Sequence, residues 1–220
     1  MISLFVLFLL TTHVSANTTH TFLIKDKEEV LVLPEGYCDL TDSTKGQFFY
    51  NHIERATAQN PTLPQPAFVM LACEGEANSS YPWGYVTVPT AIRGMTQATF
   101  NSKVLALFGN QSYLQALDAD IKQYEEDAVA LNNEVFTAKF DSIDVGVPLI
   151  AKVSPWAIHS ITKGAVVIEG KETIEHMYLS QAIIDGYIYF FYMITSAMSV
   201  LEDNWFELVD QAIQQSRGIR

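Results

Sequence analysis

A chain of 220 residues, 49% of them hydrophobic and 17% charged, is long enough to enclose a core and too apolar to remain disordered. Its 13 basic residues stand against 25 acidic ones, a net charge of −12, and no Lys or Arg cluster appears anywhere. A surface that tracks phosphates needs such a cluster, so nucleic-acid binding is excluded, and an anionic membrane surface is disfavoured on the same electrostatic ground.

Residues 1–16 read as a signal peptide. An apolar run from Ile2 to Leu10 ends in Val14-Ser15-Ala16, a small-residue cleavage site, which predicts a mature chain starting near Asn17. No Lys or Arg precedes the run, so the free amino terminus supplies its only positive charge. The run is too short to span a bilayer, and no Cys at the cleavage site offers a lipid anchor. The expected product is a periplasmic or secreted single α+β domain over residues 17–220, with no membrane association after cleavage. Cys38 and Cys73 are the only cysteines, and an even count in an exported chain predicts a disulfide between them. A closed loop of about 36 residues makes such a bridge worth roughly 3–4 kcal/mol. Asp39 and Glu74 beside the two thiols disfavour redox chemistry.

Thr21–Lys25 and Val30–Leu33 read as short strands around a charged turn. Asp42 or Ser43 caps a helix running to about Ala58, with Phe49, Ile53 and Ala56 on one face. The three prolines of QNPTLPQP make a loop, and AFVMLAC after it fits a strand buried on both faces. GYVTVP predicts another strand, and Tyr81-Pro82-Trp83-Gly84 before it places Tyr81 and Trp83 in a Pro/Gly loop, where they either pack on a neighbouring helix or form a contact surface. Thr96–Phe108 predicts a helix stopped by Gly109-Asn110. Leu114, Leu117, Ile121, Tyr124, Ala128 and Leu131 then mark one apolar helical face, opposite the acidic Asp118, Asp120, Glu125, Glu126 and Asp127. Asp141 and Asp144 in DSID read as a solvated turn. Thr173–Ile184 and Tyr187–Ile194 flank Asp185-Gly186, a hairpin with a type I′ turn. YIYFFYMI is apolar on both faces and predicts a central strand covered from both sides, hence three layers. A last helix from about Ser196 to Ser216 carries a buried stripe of Met198, Leu201, Trp205, Leu208 and Ala212, with Ser199 and Glu202 as a capping box.

Motifs that carry chemistry are missing: the sequence has no GxSxG, phosphate loop, GxGxxG, HExxH, EF-hand loop or CxxC. No two of His20, His52, His159 and His176 share a helical turn, so no catalytic residue, cofactor or metal site is expected. His52 reads as a boundary residue of its helix, and Glu175 and His176 as opposite faces of one strand. Ser154-Pro155-Trp156 with His159 reads as a turn near the core, with a pocket as the sharper alternative. Three sequons, at Asn17, Asn78 and Asn110, matter only for a eukaryotic source.

VLVLP, the segment PEGYCDLTDS leading into a helix, and FVMLAC resemble a group of uncharacterised exported bacterial proteins. The closing YLSQAIIDGYIYFFYMIT with its following helix resembles the end of PsbP-like α/β/α sandwich domains. That resemblance implies an antiparallel sheet flanked by helices, in a class of binding or assembly modules without catalytic residues. The expected function is an exported, non-enzymatic module for an unknown protein or envelope component. The alternative is an exported hydrolase, which a His beside Asp, Glu or Ser in a deep pocket would favour.

Overall fold

The computed structural model describes residues 18–24, 27–59, 65–73, 82–92, 94–135, 137–196 and 202–218. The signal peptide, Tyr81, Asn17, Asn78, Met198, Ser199 and Leu201 lie outside the described residues. The elements run β1 (Thr19–Ile24), β2 (Lys27–Val32), β3 (Tyr37–Asp39), α1 (Thr44–Gln59), β4 (Pro66–Ala72), β5 (Trp83–Thr87) and β6 (Thr90–Ala91). They continue with α2 (Gln97–Phe108), α3 (Gln111–Val135), β7 (Phe140–Val145), β8 (Leu149–Val153), β9 (Ile158–Ile168), β10 (Lys171–Ile184), β11 (Tyr187–Thr195) and α4 (Glu202–Gly218). This is the expected α+β class. Nine strands form one sheet in the order β3-β4-β5-β11-β10-β9-β7, with β6 beside the start of β11 and β8 beside β9. Every pairing is antiparallel. β1 and β2 form a separate hairpin.

Local signals set the element ends. Ser43 caps α1 by accepting from the Gly46 amide at 3.0 Å. A Cβ on Gly46 would lie 1.8 Å from the Leu40 carbonyl oxygen, so the backbone there admits only glycine. Thr96 caps α2, and the Asn110 side chain accepts from the Ser112 and Tyr113 amides at 2.9 and 3.3 Å to cap α3. Asp185 and Gly186 have φ of 51° and 83°, as the type I′ turn requires, and they set Ile184 opposite Tyr187.

Alternation along the strands distributes side chains between two layers. On one face, Phe68 and Met70 of β4, Tyr178 and Ala182 of β10, and Phe191 and Met193 of β11 pack under α4 through Trp205, Phe206, Val209 and Ile213. The β1–β2 hairpin closes the same layer: Phe22 meets Phe68 and Tyr189, and Val32 donates its amide to Ser216 of α4 at 2.8 Å. On the other face Cys38, Leu40, Val69 and Leu71 pack against Ile53 and Phe49 of α1. Cys38 and Cys73 are joined by the expected disulfide. No described helix is long and apolar enough to cross a membrane.

Two expectations need correction. DSID is not a turn: Asp141 and Asp144 lie on β7, an edge strand whose polar residues face solvent and whose Ile143 and Val145 are half-buried. The stripe of α4 runs through Trp205, Phe206, Val209, Ala212 and Ile213, and Leu208 is only half-buried. Beyond its pairing with β9, β10 is finished by side chains. Ile183 donates its amide to Gln97 Oε1 at 2.6 Å, Gln97 Nε2 donates to the Gln181 carbonyl, and Arg217 donates to the Ile183 carbonyl. A side chain standing in for a strand leaves no mark on hydrophobic periodicity.

Candidate functional site

Two places gather chemistry. The first is a polar cluster under α4. His159 of β9 lies opposite Ser180 of β10 in the register, and their side chains meet, Nδ1 to Oγ, at 2.8 Å. The other ring nitrogen lies 3.1 Å from Oδ1 of Asp210 on α4. Ser154 donates to the same oxygen at 2.7 Å, and Lys152 sits 3.4 Å from Oδ2. Burial pushes the Asp210 carboxyl up, but the bonds from His159 and Ser154 and the nearby charges outweigh it, leaving it below the usual carboxylate range. Serine, histidine and aspartate thus stand in hydrogen-bonded series. Access decides what they can do: Ser180 and His159 have no exposed surface, and Phe206 packs on the imidazole with ring centroids 4.6 Å apart. A nucleophile must reach a carbonyl, and this serine faces only protein, so the cluster's role in the fold is to pin α4 to the sheet.

The second place is the opposite face of the same strands. Phe49 of α1 stacks on Trp83 of β5 at 4.3 Å, and Tyr85 stacks on Tyr192 of β11 at 4.4 Å. Trp83 lies 6.3 Å from Tyr85, and Phe190 lies 6.5 Å from Tyr192, both nearly parallel. Five rings therefore form one row across the sheet. Register explains it: Tyr85 faces Tyr192 directly, and Trp83 and Phe190 follow two residues along their strands. None of the five is fully buried, although β11 is the central strand. Along β11 the residues toward α4 are buried, whereas Phe190, Tyr192 and Ile194 keep part of their surface.

The helix that brings Tyr124 toward this row is α3, tied to β7 along its second half. Asn133 exchanges two hydrogen bonds with the Phe140 backbone, and Glu125 accepts the Val145 amide at 2.6 Å. Its apolar face runs as the periodicity predicts, but only Ala128 and Leu131 are buried, while Leu114, Leu117 and Ile121 are half-buried and Tyr124 is 43% exposed. The Tyr124 phenol is close enough to act electrostatically on both Tyr85 and Tyr192. Burial, reinforced by Tyr124, pushes the Tyr192 phenol up to about 12; burial, reinforced by Tyr192 and Tyr124, raises that of Tyr85 well above its ordinary value. Both are hydrogen-bond donors at any physiological pH.

No family model matches the chain, and no curated protein matches it. Among solved structures the chain is similar to the solution structure of cyanobacterial PsbP from Synechocystis sp. PCC 6803, with 10% identity over 93% of this chain and 94% of that one. The TM-score is 0.33, and at that value the likeness carries neither fold nor function across. The α+β class rests on the strands and helices of this chain.

The residues singled out by sequence are dispersed. Trp83 opens β5 instead of lying in a loop, and its indole packs on α1. His159 and Ser154 do come together, through Asp210, whose place in an amphipathic helix gave no sign of a partner. His20 pairs with Asp39 at 2.6 Å, beside the disulfide, and Asp39 also accepts from Thr41. Burial raises the Asp39 carboxyl, and its bonds to His20 and Thr41 more than reverse that. His52 is half-buried, and burial with Arg55 lowers its pKa. His176 is buried on the face toward α4. Among the described residues no three His, Cys, Asp or Glu side chains are grouped to hold a metal. The aromatic row itself escaped sequence reasoning, because its members come from three elements. The signal available was the even-numbered aromatics of YIYFFYMI, read there as core.

Proposed function

We propose that the chain is an exported binding module that engages a protein or envelope component through its half-covered aromatic face. The observation that supports this most is the row Phe49, Trp83, Tyr85, Tyr192 and Phe190, which keeps solvent-exposed surface at the centre of a nine-stranded sheet. Contiguous exposed aromatic surface is costly to a free protein and is characteristic of contact sites. A leader-like segment over residues 1–16 and a disulfide, a bond of oxidising compartments, fit an exported product. The test is photo-crosslinking in cells from p-benzoylphenylalanine at position 124, with position 207 on the outer face of α4 as control. Cross-links from 124 and none from 207 are expected; equal or absent cross-linking from 124 would defeat the reading. Intact-mass analysis of the product checks export, with a start near Asn17 expected.

The Ser180–His159–Asp210 series is the one observation favouring a hydrolase. A fluorophosphonate probe labels an activated serine covalently. No label on native protein is expected, since Ser180 has no exposed surface. Labelling abolished by Ser180→Ala would revive the hydrolase.

A further inference from the structure

We draw no further inference here: the strongest candidate, the row across the α4 side of the sheet where Lys163 of β9, His176 of β10 with both ring nitrogens unpartnered among the described residues, and Thr195 of β11 stand side by side in register, carries nothing because the imidazole is closed in and nothing among the described residues opens a space beside it for a ligand.

Discussion

The two faces of the sheet are built from the same strands and similar residues, yet they hold differently. Toward α4, Tyr189, Phe191 and Met193 of β11 interlock with Trp205, Phe206 and Val209, and a hairpin seals the margin. Toward α1 and α3, Phe190, Tyr192 and Ile194 of the same strand remain part-exposed. The cause lies in the covering helices. α4 presents two adjacent apolar rows and bonds the sheet through Asp210, whereas α3 is fixed at its β7 end and offers a single stripe. Aromatic composition therefore does not tell a core face from a contact face. What tells them apart is whether the helix opposite closes down.

The comparison predicts unequal costs for equal truncations. Trp205→Ala should destabilise by about 3–5 kcal/mol, because the indole has no exposed surface and packs edge-on to Tyr37 at 5.3 Å. Urea titration of the purified protein checks it, and a loss below about 1 kcal/mol would mean that the α4 layer is looser than its burial implies.

The thinner face is secured covalently. Cys38 and Cys73 tie β3 to the end of β4, directly beneath the α1 layer, and close a separation of 35 residues. Replacing both by Ser should cost roughly 3 kcal/mol through the unfolded chain. Hydrogen exchange should show α1 losing protection before α4. Equal loss in both helices would break the division into two independently secured faces.

Much of this organisation was legible in the sequence, and the exceptions share a cause. The Asp185-Gly186 hairpin, the strand of YIYFFYMI, the cap at Ser43 and the α3 stripe all follow from local chemistry or from periodicity. β7 and β8 do not, because edge strands such as FDSIDV carry polar residues on one side and few apolar ones on the other. The site failed for a related reason. Phe49, Trp83 and Tyr192 lie far apart in sequence and meet only through register, and Asp210 reaches His159 across 51 residues.

The polar cluster makes the α4 face sensitive to acid. Asp210 is held below the usual carboxylate range, so its contribution is present above that range and is lost as pH falls through the folded-state value. Asp39 is shifted the same way on the β1 side and adds to the same window. Asp210→Asn should cost about 2–3 kcal/mol at neutral pH and should flatten the stability profile below about pH 4. An unchanged slope would assign the acid sensitivity to Asp39 and would free α4 from the role given to its buried carboxylate.

The smallest effect tests the comparison most directly. Trp83 is as large as Trp205 but retains exposed surface and stacks on Phe49 from one side. Truncation there removes less buried area and leaves a gap open to solvent, so Trp83→Ala should cost about 1–2 kcal/mol. A loss equal to that of Trp205→Ala would show that the aromatic row is core after all, closed in solution by movement of α3 onto the sheet. A small loss joined to cross-linking from position 124 would show the opposite: surface kept at the expense of stability because something else binds it.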